Sequence, residues 1–329
     1  MTTRDARPLL LVLRALGLGD LLTAVPALRG LRRGFPAHRL VLAAPAWLAP
    51  LVAAIEAVDD HLHVGELEPL PAELADRVAV AVDLHGSGPQ SHALLTSLRP
   101  ARLVAFAHPD VPASADGPAW DATEHEVARW CRLVRRAGCP ADPADLAITP
   151  PPRSPTAMSA AGATVVHPGA KSGARRWPAD RFAAVAAAEA ATGRRVLLTG
   201  SPSERELATE VARRAGLGPE AVLAGALDLD GLAAVVAAAD RVVCGDTGVA
   251  HLATAFGTPS VVLFGPTPPD AWGPPVDRRE RHRVLWAGRT GDPLADEPFE
   301  GLLAIAPARV IAALGELPVN GGRHERHGG

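Results

Sequence analysis

Two short stretches of this 329-residue chain carry groups suited to gripping phosphate. In one, Gly245-Asp246-Thr247-Gly248 breaks a β-branched run at 241–244 and precedes an apolar segment of helical spacing at 249–256. A strand that re-enters as a helix in this way leaves the amides of Thr247, Gly248 and Val249 pointing out of the helix start, with the positive end of the dipole behind them. Such an end binds phosphate without a basic side chain. The Thr247 hydroxyl can help, while Asp246, which phosphate repels, is better suited to sugar hydroxyls. Either Asp246 or Thr247 can cap the helix. His251 either faces the ligand, adding charge when protonated, or is buried and neutral. The competing reading of the whole stretch is an ordinary βαβ crossover that binds nothing.

The other stretch, at 167–178, holds Lys171, Arg175 and Arg176 together with Gly169 and Gly173. Glycines let the backbone approach a diphosphate, and arginine offers forked bonds to its oxygens. Lys171 either shares that task or is a solvated loop lysine. A Walker A loop is excluded, because Ala170 stands where a glycine must precede the lysine and neither Thr164 nor its neighbours Ala163 and Val165 supply the earlier glycine. Near the N-terminus, Gly17-Leu18-Gly19-Asp20 resembles a dinucleotide fingerprint, but Leu22 occupies the place of the third glycine. On residue preference alone, Asp20 is a helix cap and Glu204 a first-turn acid behind a serine cap.

These loops need strands and helices to hold them, and the pattern supplies both. Strands are expected at 8–13, 39–43, 61–64, 78–84 and 103–106, alternating with helices at 21–35, 48–57, 71–76, 94–98 and 124–137. Pro26 must then lie in the first turn of its helix or kink it. The second half repeats the alternation, with strands at 164–167, 195–198, 221–223, 241–244 and 260–264 and helices at 179–191, 203–215, 229–239, 249–256 and 307–317. The Pro-rich segment 140–160 reads as a linker. The expected organisation is an α/β domain at 1–150, a second at 151–318 and a disordered tail at 319–329. Two facing doubly wound domains would gather their loops around a shared cleft.

Composition narrows the function. A net charge of -3 gives no general attraction to nucleic acid or anionic membrane. Three cysteines, Cys131, Cys139 and Cys244, make no disulfide frame and no zinc-ligand spacing, which suggests a reducing compartment. The apolar run after Arg7 is cut short by Arg14 and Asp20, and no 18-residue uncharged apolar run occurs, so a cytoplasmic protein is expected, at most peripheral at the inner face of the membrane. A monomer is expected.

The string D-T-G-x-x-H-L-A-x-A-x-G-x-P-x-V-x-L-F-G-x-T-x-P from Asp246, followed by Trp272-Gly273-Pro274, resembles the signature of glycosyltransferase family 9, the lipopolysaccharide heptosyltransferases. Gly19-Asp20-Leu21-Leu22-Thr23-Ala24-Val25-Pro26-Ala27-Leu28 is similar to that family's first-loop motif. The resemblance implies GT-B architecture and metal-independent, inverting transfer from a nucleoside diphosphate sugar, with no cofactor and with ADP-heptose as the commonest donor. It implies Asp20 as general base. On the donor side it implies Arg175, where the family often has lysine, and Glu204 on the nucleoside ribose; whether Lys171 joins Arg175 stays open. Asp246, Thr247, Gly248 and His251 complete that side, and Thr23, Asp83 and His85 form the acceptor side. The acceptor would be a glycan, a lipid-linked sugar or a small molecule. A sugar-nucleotide epimerase and a binding protein without turnover are the alternatives.

Overall fold

The computed structural model describes residues 6–152 and 155–318, so the expected tail at 319–329 lies outside the described residues. The chain divides into two compact units, Met1–Leu146 and Ala147–Gly329.

Unit 1 is built on β1 (Leu9–Leu13), β2 (Arg39–Ala44), β3 (Asp60–His63), β4 (Val78–Asp83) and β5 (Arg102–Val104), all parallel in the order β3-β2-β1-β4-β5. The most apolar strand takes the centre: Leu10, Leu11 and Val12 are fully buried, each burial being worth about 1.5 to 3 kcal/mol. Around the sheet lie α1 (Leu18–Gly34), α2 (Ala49–Ala54), α3 (Gln90–Ser97) and α4 (Glu126–Arg136). Pro26 lies in the middle of α1 rather than in its first turn, so the carbonyl of Leu22 receives no amide from it. The helix expected at 71–76 is only a 3-10 turn, Ala72–Leu74, because Pro69 and Pro71 leave too few residues to propagate one.

Unit 2 contains β6 (Thr164–His167), β7 (Val196–Leu198), β8 (Arg241–Gly245), β9 (Ser260–Leu263) and β10 (His282–Leu285), parallel in the order β10-β9-β8-β6-β7. Its helices are α5 (Pro155–Ala160), α6 (Ala179–Ala191), α7 (Arg205–Arg214), α8 (Leu229–Ala238), α9 (Gly248–Phe256), α10 (Pro269–Trp272), α11 (Glu300–Leu303) and α12 (Pro307–Gly315). The strand expected at 221–223 reduces to one parallel bridge between Leu198 and Val222 after a 3-10 turn, while α5 falls inside the expected linker.

In unit 1 the chain runs outward from β1 to β2 and β3, then returns to β4 on the other flank of β1. In unit 2 it runs from β6 to β7, then crosses to β8 on the other flank of β6. Such reversals open a crevice at the carboxyl ends of the two strands, where α/β sheets bind ligands. The loops after β1 and β4, and those after β6 and β8, carry most of the candidate groups, with Glu204 in the loop after β7.

Candidate active site

In unit 2, β6 ends at His167 and the chain turns through 168–172 into a 3-10 turn, Gly173–Arg175. Two glycines are required by close approach. A Cβ on Gly169 would lie 2.0 Å from a carboxylate oxygen of Glu204, and one on Gly173 would lie 1.4 Å from the carbonyl oxygen of Asp296. The segment 293–299 pins this loop: Ser172 Oγ donates to the Pro293 carbonyl (2.6 Å), the Ala174 amide to Ala295 (2.9 Å) and the Phe299 amide back to Ala174 (3.4 Å). Ser172 Oγ also accepts from Arg175 Nε at 3.3 Å. Arg175 NH1 then points at the β8–α9 turn, 3.4 Å from the Asp246 carbonyl and 3.9 Å from its carboxylate. Lys171 stands exposed beside them.

Thr247 is the N-cap of α9 in an extended conformation, without a side-chain capping bond. Its buried hydroxyl oxygen has no hydrogen-bond partner of normal geometry. A polar atom left in that state costs free energy, and a ligand oxygen at the helix start would relieve it. His251, half-buried one turn on, meets Trp272 edge-on with ring centres 6.0 Å apart. Glu204 accepts from the Ser201 amide at 2.8 Å, so it closes its own helix start while lying against the Gly169 turn. Behind it His167 is buried and hydrogen-bonded to Thr199 Oγ1 at 3.1 Å; burial holds its ring below the usual value, against the pull of Glu204.

Asp246 is 6% exposed, and burial pushes its carboxyl up to about 6, with Arg175 pulling the other way. A carboxyl raised by folding binds its proton more tightly in the native state, so its contribution is full below the ordinary value of 3.8 and is lost as pH rises through about 6. The interval corresponds to roughly 3 kcal/mol. Asp246→Asn cannot ionise, and its Tm should therefore fall less than the wild type's between about pH 4 and pH 7. Parallel Tm curves for the two proteins would show that Asp246 does not ionise in a buried setting.

In unit 1, the N-cap of α1 is Gly17, and Asp20 is the third helical residue, so Asp20 is not the cap itself. Its Oδ2 accepts from the Gly17 amide at 3.0 Å, and its Oδ1 lies 3.4 Å from Arg14 NH2. Thr23 does not present its hydroxyl outward: it is 1% exposed, donating to the Asp20 carbonyl at 3.0 Å and accepting from Arg14 at 3.3 Å. Asp83 is likewise fully buried; one oxygen takes the His85 amide at 2.8 Å, and the other, unpartnered, faces the buried His92 ring at 3.9 Å. Asp83 therefore holds the loop, and His85, half-buried, is its outward group. Burial holds the His85 ring below its usual value despite Asp83, and the charges of Arg14 and Asp20 also reach it. The structure thus gathers Asp20, Thr23, Asp83 and His85 in unit 1, and Lys171, Arg175, Glu204, Asp246, Thr247, Gly248 and His251 in unit 2.

Sequence reasoning missed Arg14, Glu126 and Ser172. The signal for the first was present as an arginine closing the apolar run of β1. That for the second was the spacing of Glu126, Arg129 and Trp130, which puts all three on one helical face.

Two doubly wound parallel sheets with charged loops at each switch point define a GT-B architecture. A glycosyl transferase of family 9 from Veillonella parvula superposes with a TM-score of 0.76 at 20% identity, over 94% of this chain and 97% of that one. An ADP-heptose lipopolysaccharide heptosyltransferase II from E. coli superposes with a TM-score of 0.74 at 24% identity, over 93% and 97%. The family model for glycosyltransferase family 9 (heptosyltransferase) matches residues 118–290, and this chain belongs to that family. Lipopolysaccharide heptosyltransferase 2 of Escherichia coli K12 is 34% identical over 158 residues, 46% of this chain and 45% of that protein. The match thus spans about half the length of the curated relative. All the unit 2 site residues lie inside the family-matched range, and Asp20 lies outside it.

Proposed function

We propose that this protein transfers a sugar, a heptose as in the relatives' names, from a nucleoside diphosphate donor to an acceptor hydroxyl on a cell-surface glycan. The observation that carries this is the Arg175 guanidinium set against the start of α9, beside an unsatisfied Thr247 hydroxyl. Together they form a positive, donor-rich seat for a diphosphate. Asp20 accepts the proton of the acceptor hydroxyl as its oxygen attacks the anomeric carbon. The bond from that carbon to the diphosphate breaks, the electron pair leaves with the diphosphate, and a single displacement inverts the configuration. Lys171 and His251 flank the diphosphate, Glu204 takes the ribose hydroxyls, Asp246 the sugar hydroxyls, and His85 stands on the acceptor side. We infer that the protein works in the cytoplasm, peripheral at the inner face of the membrane. Among the described residues no helix is long and apolar enough to cross a membrane.

A screen of nucleoside diphosphate sugars by thermal shift tests the donor side, since a donor at 100 times its Kd adds about 2.7 kcal/mol of stability. Absence of any stabilisation, with no transfer product by mass spectrometry, would reject the proposal. Conversion of the donor without an acceptor would mark an epimerase instead.

Activity is expected to survive chelators, because guanidinium, amides and a hydroxyl supply the charge stabilisation that a divalent ion gives elsewhere. The one Asp-x-Asp pair near a loop, Asp228 and Asp230, is at the start of α8, where Asp228 caps the helix through the Gly231 amide at 2.8 Å. Turnover lost in EDTA and restored by magnesium, manganese or iron would assign a metal to the reaction.

A further inference from the structure

We propose that Arg14 is the positioning residue for the Asp20 carboxylate, and that Glu126 holds Arg14 in place to do it. A guanidinium 1% exposed is costly to bury unless its donors are met. Here Nε donates to the Asp20 carbonyl at 3.0 Å, NH1 to the Leu84 carbonyl, and NH2 faces Glu126 at 2.9 Å, Thr23 Oγ1 at 3.3 Å and Asp20 Oδ1 at 3.4 Å. The plane rests on Trp130, 4.6 Å from the ring centre.

A purely structural ion pair would need only Glu126. Arg14 instead spends most of its donors on the loop of Asp20 and on Leu84, which opens the loop of His85. The two loops of the switch point are therefore tied to one rigid cation. With Gly17 on Oδ2 and Arg14 on Oδ1, both oxygens of Asp20 have a fixed direction, and the carboxylate cannot swing.

Glu126 answers the charge. It also accepts from Trp130 Nε1 at 2.8 Å and from Arg129. Burial pushes its carboxyl up, but the charge and hydrogen bond of Arg14, joined by Arg129 and Trp130, bring it below its usual value, so it stays ionised. Two cations and two carboxylates sum to zero. Arg14 thus orients Asp20 through hydrogen bonds while the cluster as a whole stays neutral.

This inference rests on Asp20 acting as the base. Arg14→Lys keeps the charge but has no planar fork. With a displaced base, kcat should fall roughly 10- to 100-fold while donor KM stays unchanged, as expected for a misplacement of about 1 Å. In an Asp20→Asn background the same change should add nothing further, because Arg14 acts through that carboxylate. Unchanged kcat in Arg14→Lys beside a crippled Asp20→Asn enzyme would overturn the role of Arg14 and leave the base intact. A further multiplicative loss in the double variant would also overturn it, by showing that Arg14 acts elsewhere. A fully active Asp20→Asn enzyme would remove the base itself. If Arg14→Lys does not fold, Glu126→Gln reads the same link: lower kcat at constant donor KM supports it, and unchanged kcat overturns it.

Discussion

Asp20→Asn is expected to bind donor as the wild type does and to turn over roughly 10²- to 10⁴-fold more slowly, the range attributed to general base catalysis. The amide oxygen can still accept from the Gly17 N–H or from Arg14, which now occupy Oδ2 and Oδ1 respectively. One of those two bonds must face the new NH₂ group, so a stability loss of about 1 kcal/mol is the most that geometry requires. What the amide cannot do is take a proton. Asp20→Ala loses both bonds and should lower Tm more than Asp20→Asn does, which separates the structural from the chemical contribution. Turnover of Asp20→Asn within a few fold of wild type would remove Asp20 from the reaction. Asp83 could not then inherit its place without a rearrangement, since it is fully buried and committed to the His85 amide.

Arg175→Ala should weaken donor binding and slow transfer as well, because negative charge on the diphosphate grows as the glycosidic bond breaks. A charge-assisted contact is worth about 1.5 to 3 kcal/mol, hence a loss of roughly 10- to 150-fold in kcat/KM. The substitution also strips Asp246 of the cation that restrains its carboxyl. The free protein should therefore shift its pH-dependent loss of stability upward, a second readout independent of substrate. If donor affinity and rate both stay at wild-type values, the turn at 173–175 is not the phosphate seat. Arg175→Lys is expected to recover part of the rate, since the charge remains while the fork is lost.

The interior of both sheets was legible from the sequence because β1, β4 and β8 are continuous apolar runs, the mark of strands covered on both faces. The edge was not. β10, His282-Arg283-Val284-Leu285, carries two polar residues and is half-exposed over most of its length, so its pattern is that of a loop. The site divided along similar lines. Asp20, Arg175 and the turn at 246–248 sit in loops where residue type and spacing speak locally. Thr23 and Asp83 carry equally polar side chains, yet both are buried, Thr23 against Arg14 and Asp83 against His92, pairs that the local pattern does not announce. Arg14 stayed hidden for the same reason, because its counter-ion Glu126 lies 112 residues away. Local pattern names a charged residue but does not say whether its partner is water or a distant carboxylate.

The pin on the cationic turn has a consequence for how this protein is made. Ser172 and the Pro293 carbonyl that receives its hydrogen are 121 residues apart. At a synthesis rate of roughly 5 to 20 residues per second, β6 and its turn leave the ribosome on the order of ten seconds before the stretch that holds them down. Throughout that interval the turn that carries Lys171 and Arg175 is without its bonds to 293–299, and closing so long a loop is among the last entropic losses the unit meets. Donor in the surrounding solution therefore meets a seat that still lacks part of its backbone support. A chain stalled short of residue 293 would carry every donor-side group and is expected to hold the nucleotide sugar more weakly than the finished chain.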